Sequence, residues 1–208
     1  MNHPARFSHL WRAEILPAPP LIAPARQFVY PRQIPGEEDA LARGALQVLV
    51  HPATGGSFVA TFALGFTGPG LPTGVWPCPN PHQLCALAGG YAYLLDTADP
   101  AHSHLLPLRP VVEVRPLPSE ALLLFVGLHA IAAWGPNGLA WQTARLTWEG
   151  VRVTACESGR LLGFGWDLPT DRDVAFTVDL RTGAHTGGAS PAGPASSPAS
   201  AQKPAAAV

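Results

Sequence analysis

The stretch from Ser119 to Asp167 limits most tightly what this chain can fold into. An apolar run, Ala121–Trp134, leads into a Pro136-Asn137-Gly138 turn. Segments 140–146 and 151–156 follow, and Gly163-Phe164-Gly165-Trp166-Asp167 closes the stretch. Turn residues recur before any apolar segment reaches the length of an ordinary helix, so the stretch reads as four short strands joined by tight turns. Ala121–Val126 is apolar on both faces, which marks an interior strand, and His129–Trp134 answers it after Gly127. Such a unit builds a core by repetition. Four of the six tryptophans lie within it.

The rest of the chain follows the same grammar. With 24 prolines and 21 glycines in 208 residues, and only 13% charged residues, long surface helices with wet Glu and Lys faces are disfavoured. The expected class is mostly β: antiparallel short-strand hairpins forming a sandwich, an open barrel or a propeller-like sheet array, with at most one or two short helices. The best helix candidate is 36–44, where Glu37, Glu38 and Asp39 suit the positive end of the helix dipole and Gly44 the left-handed cap.

Three regions are expected. Residues 1–26 form a proline-rich arm whose apolar residues lack a sustained period, with Trp11 docking onto the domain. Residues 27–186 form the β-rich domain. Residues 187–208 are dominated by Ala, Ser, Pro and Gly, lack aromatic residues, and read as a disordered tail. Within the domain, 27–31 is a short edge strand stopped by Pro31. Residues 45–51 and 57–65 make a hairpin in which Phe58, Ala60 and Phe62 share a face. A long proline-rich loop covers 66–82, anchored by Trp76, and 84–88 pairs with 91–96 around Gly89-Gly90. Val111–Arg115 is a strand, 151–156 turns back into 160–165 at Ser158-Gly159, and 173–180 alternates Val174, Phe176 and Val178 against Ala175 and Thr177.

Turn signatures at His51–Gly55, Asp96–Asp99, Gly135–Gly138 and Asp179–Gly183 recur roughly every 40 residues, a spacing expected of four-strand blades. Asn137-Gly138-Leu139-Ala140-Trp141 carries a turn followed by Trp, and Val178-Asp179-Leu180-Arg181-Thr182-Gly183 carries the turn without it. These segments resemble the tryptophan-docking motif of pyrroloquinoline-quinone-type β-propeller blade repeats, over about a quarter of the chain. The resemblance implies a structural role for the motif and no cofactor. Taken whole, the chain is similar to β-rich bacterial proteins.

Several functional classes are disfavoured. A formal net charge of −1 leaves no basic stripe for a nucleic-acid backbone or an anionic membrane. Arg6, Arg12, Glu14 and the proline cluster near Pro19 interrupt any signal peptide, Ala121–Trp134 is too short to span a bilayer, and three cysteines close no disulfide framework; the chain reads as cytoplasmic. No nucleophile elbow, phosphate-binding loop or dinucleotide fingerprint occurs. Glu157 beside Cys156 raises that thiol's pKa, and His129 in an apolar strand pair reads as a satisfied core histidine. Asp167, Asp171 and Asp173 read as a solvated turn, since calcium would need a glycine at the bend.

Two candidate sites remain. Cys78, His82 and Cys85 have C-x3-H-x2-C spacing, with His102 and His104 following; thiolate and imidazole ligands in a loop suit tetrahedral zinc. Trp148, Trp76 and Trp166 are candidates for a ligand- or partner-binding face, because aromatic side chains offer contact area at low entropy cost, with Trp148 expected to be exposed. The best reading is a non-catalytic binding or protein-interaction module with a protein or small-molecule partner. The alternatives are a small metal-dependent hydrolase or zinc-binding protein using Cys78, His82 and Cys85, and a structural subunit of an oligomer.

Overall fold

The computed structural model describes residues 7–18, 20, 22, 24–31 and 41–189. Among these, sixteen strands form four four-stranded sheets. The first sheet holds β1 (Trp11–Leu16), β2 (Arg26–Tyr30), β3 (Ala45–Pro52) and β4 (Phe58–Ala63) in the order β1-β3-β4-β2. The other three are sequential meanders. β5 (Gly74–Pro77), β6 (Gln83–Ala88), β7 (Tyr91–Asp96) and β8 (Ser103–Leu105) make the second. β9 (Val111–Leu117), β10 (Leu122–Gly127), β11 (Ile131–Gly135) and β12 (Gly138–Gln142) make the third. β13 (Glu149–Glu157), β14 (Arg160–Asp167), β15 (Arg172–Asp179) and β16 (His185–Gly187) make the fourth. All pairings are antiparallel except β2 beside β4. One 3₁₀ turn, Pro118–Glu120, accompanies them, and no helix of the described residues is long and apolar enough to cross a membrane.

The sheets stack in chain order, each joint sealed by its own apolar cluster. Phe58 and Phe62 of the first sheet meet Leu84 and Tyr93 of the second. Cys85, Leu87 and Leu94 of the second meet Leu123, Phe125 and Trp134 of the third. Leu124 and Ile131 of the third meet Leu161, Phe176 and Val178 of the fourth. A polar clasp accompanies each joint: Tyr30 donates to the Pro100 carbonyl at 2.6 Å, Trp134 to Gln83 Oε1 at 2.9 Å, and Trp141 to the Leu180 carbonyl at 2.7 Å. Burial pushes the Tyr30 phenol well above its usual range, with Arg26 acting against it.

This stacking explains the burial patterns. β6, β7, β10 and β11 belong to inner sheets packed on both faces and are almost entirely buried, whereas β3 and β14 alternate because they belong to outer sheets. The expected interior strand at Ala121–Val126 is therefore found as β10. Among the described residues no apolar cluster joins the fourth sheet back to the first.

Several expectations need correction. The arm supplies a strand: β1 pairs with β3 across all six of its residues, and Trp11 is buried, its indole donating to the Gln83 carbonyl at 3.0 Å. The proline-rich loop contains β5, and β16 extends the domain to Gly187. Strand 140–146 ends at Gln142. Of the helix candidate, 36–40 lies outside the described residues, and Leu41–Arg43 form a turn closed by the Gly44 N–H donating to the Leu41 carbonyl. The tail expectation falls on residues outside the described ones from 190 onward. His129 is exposed at the turn between β10 and β11, where its carbonyl accepts the N–H groups of Leu146 and Thr147.

Candidate interaction surface

The outward face of the fourth sheet is built by β14, whose side chains divide strictly by parity. Leu161, Gly163, Gly165 and Asp167 are buried, Leu161 against the third sheet, while Leu162, Phe164 and Trp166 point the other way. The glycines enforce this division. A Cβ on Gly165 would lie 1.6 Å from Thr147 Cγ2, so no side chain fits on the packed face there and the bulk of the strand is carried outward. Register then sets the neighbours. Phe164 lies between Arg152 and Ala175, and Trp166 between Glu149 and Asp173. Phe164 is 43% exposed and Leu168, just beyond the strand, 53%.

Charged groups border this apolar centre. Arg152 pairs with Asp173, both more than half exposed. Trp166 donates its indole N–H to Asp171 Oδ1 at 3.1 Å, a contact between exposed groups that fixes the ring's orientation. A shallow cleft of about 240 Å³ opens among Glu149, Gly150, Arg152, Trp166 and Asp173. A second, of about 250 Å³, lies further along the sheet among Arg160, Thr177, Asp179 and His185. The three aspartates read as a turn keep separate partners. Asp167 is buried and accepts the Thr170 hydroxyl at 2.7 Å, Asp171 takes Trp166, and Asp173 takes Arg152.

The candidate tryptophans are dispersed. Trp166 is on the outward face. Trp148 touches the same strand, its backbone N–H donating to the Trp166 carbonyl at 2.8 Å, but it is partly buried, with the Arg145 guanidinium 4.7 Å from its ring centre. Its expected exposure is thus corrected: the ring is half-buried, with Arg145 over it. Trp76 is elsewhere, opposite Cys85 and packed on the cluster between the second and third sheets. Phe164 was not singled out from sequence. The signal was present in the Gly-Phe-Gly-Trp alternation, in which small residues on one face leave the aromatics no choice but the other.

The cysteines and histidines of the zinc candidate do not share a location. Cys78 and Cys85 are fully buried in the joint between the second and third sheets, and burial pushes both thiols up, Cys78 adding to the effect on Cys85. His82, His102 and His104 are exposed; His102 bonds Asp99 at 2.6 Å and His104 lies against Trp134, ring centres 5.2 Å apart. Among the described residues no three His, Cys, Asp or Glu side chains are grouped to hold a metal ion. The physical reason is layering: Cys85 lies on β6, which is buried on both faces, whereas the imidazoles sit on turns or at a sheet edge. Cys156 is exposed; its thiol is raised first by burial and then by Glu120, against Arg115, so the acidic neighbour is Glu120 rather than Glu157. No protein-family model matches the chain, and comparison with curated proteins finds no match.

Proposed function

We propose that this chain is a non-catalytic protein-interaction module whose contact surface is the outward face of the fourth sheet. The observation that carries the reading is Phe164, a large aromatic side chain 43% exposed in the middle of a strand paired on both sides. Leu162 and Trp166 continue its row, and Arg152, Glu149 and Asp173 border it. An apolar centre inside a charged border is the anatomy of protein-binding patches, and aromatic anchors supply most of their affinity. The fitting partner is a protein surface with an apolar centre and mixed charge around it.

The same reading takes the four stacked sheets as a propeller-like array. It is supported by Tyr30 and Trp141, which from the last spatial strand of one sheet donate to the turn before the last strand of the next.

The test is affinity capture with the full chain and with Phe164→Arg, followed by mass spectrometry. A protein held stoichiometrically by the natural chain and lost from a variant with an unchanged melting temperature supports the proposal. Identical captures overturn it. A variant that unfolds makes Phe164 a core residue and also overturns it. Stoichiometric zinc in the purified chain would instead favour a metal-binding role for Cys78 and Cys85.

A further inference from the structure

Each sheet ends in two edge strands, and most of these edges carry features that discourage pairing with another chain. β8 and β16 are three residues long, β5 has four and ends in Pro77, and β9 contains Pro116. β13 is paired through two register shifts and β12 through one. β2 is committed to the second sheet by the Tyr30 clasp. β1 differs. It pairs with β3 over Trp11–Leu16 in unbroken register, with no proline and no bulge.

The other edge of β1 has no strand paired to it among the described residues. Among the described residues, the backbone hydrogen bonds of Arg12–Leu16 go only to β3, and the Leu10 N–H turns away to the Pro81 carbonyl at 2.9 Å. A groove of about 680 Å³ is lined by His9–Glu14 together with His51, Pro52 and Ala53, where β1 meets the end of β3, and a cleft of about 310 Å³ is shared by His9, Trp11, Arg12 and Ala13 with Val75 and Pro77 of β5. Leu10 and Ile15 are each 48% exposed. Arg12 and Glu14 are exposed and, among the described residues, neither has an ion-pair partner.

The sequence of this strand is self-complementary. Take two copies of β1 antiparallel about a two-fold axis normal to the sheet. Symmetry then allows only registers in which the axis passes through a residue, because residues facing each other must lie on the same side of the sheet. With the axis through Ala13, Arg12 of each copy faces Glu14 of the other, Trp11 faces Ile15, and Leu10 faces Leu16. Shifting the axis to Arg12 sets Arg12 against itself, and shifting it to Glu14 sets Glu14 against itself. Directly opposed like charges are destabilising and opposed unlike charges stabilising, so charge selects the Ala13 register from its neighbours.

We infer that β1 is a homodimerisation edge: two copies of this chain join their first sheets into one eight-stranded sheet, with Ala13 on the two-fold axis and two Arg12–Glu14 pairs beside it. The partner is a second copy, and the interface is separate from the outward face of the fourth sheet.

Sedimentation velocity on the full chain tests this directly. The natural chain sediments as a dimer. Arg12→Glu alone and Glu14→Arg alone each weaken self-association by roughly tenfold or more, since each sets like charges against each other twice. Mixing the two variants restores a dimer, now a heterodimer, because every opposed pair is again of unlike charge. Both positions are exposed, so circular dichroism should report native folding in each variant. A natural chain that remains monomeric at the highest attainable concentration overturns the inference. So do single variants that dimerise as the natural chain does, or variants that fail to associate on mixing. Phe164→Arg leaves the dimer intact, separating this result from the fate of the fourth-sheet surface.

Discussion

Asp179 organises the turn on which one sheet docks against the next. Its Oδ1 accepts the Arg181 N–H at 3.1 Å, the Thr182 N–H at 2.9 Å and the Thr182 hydroxyl at 2.8 Å. The Thr182 hydroxyl is the largest of the causes that hold this carboxyl below its usual value, with the two backbone N–H groups and Arg181 assisting. The turn so fixed offers the Leu180 carbonyl to Trp141. A carboxyl whose folded pKa is depressed stabilises fully above its unfolded pKa, and that contribution is lost as pH falls through the folded value. Asp179→Asn should therefore lower the melting temperature at neutral pH, with the gap from the natural chain closing below about pH 4. Thermal melts across that range check it, and a gap independent of pH would show that charge is not what holds the turn. At this scale the sequence was partly legible. The Asp-x-x-Thr-Gly turn is local and could be read directly, whereas His129, which reads as a core histidine from its apolar neighbours, is exposed, because which side of a turn faces solvent depends on the sheet beyond it.

β14 shows what an element adds. Its alternation of Gly165 with Phe164 and Trp166 has meaning only once Thr147 occupies the space above the glycine. Gly165→Ala forces a methyl into that contact and should cost about 1–3 kcal/mol by overpacking; urea denaturation measures it, and a neutral result would mean that 143–148 yields to the added methyl. Hairpins such as β3–β4, β6–β7 and β10–β11 were legible because partner strands are neighbours in sequence and their turns carry glycine or other turn formers. β1 escaped notice although Trp11, Ala13 and Ile15 alternate with Arg12 and Glu14, because its partner β3 begins only at Ala45. β5 was hidden by its length of four residues between prolines, and β8 and β16 by theirs of three.

On the scale of the molecule, among the described residues each sheet packs through apolar clusters only on its neighbours in the stack, so stability is distributed joint by joint. Weakening one joint should then loosen one end before the other. Trp141→Phe keeps most of the apolar area but leaves the Leu180 carbonyl without its indole donor, a loss of about 1–3 kcal/mol. Hydrogen-exchange protection should fall most in the amides of β13–β16 and least in β3–β7. A uniform loss across all four sheets would mean that the chain unfolds as one cooperative unit.

By itself the sequence determined the β class, the short strands, most hairpins and the doubly buried strand at the centre of the third sheet, because alternation and turn chemistry act between neighbours along the chain. Only the tertiary structure decided that β1 joins β3, that Cys78 and Cys85 lie in a sheet joint while His82, His102 and His104 face solvent, and that Phe164 on the outward face of β14 is exposed among the described residues. Periodicity tells which side chains share a face. What packs against that face depends on residues far along the chain, and that is set only when the sheets stack.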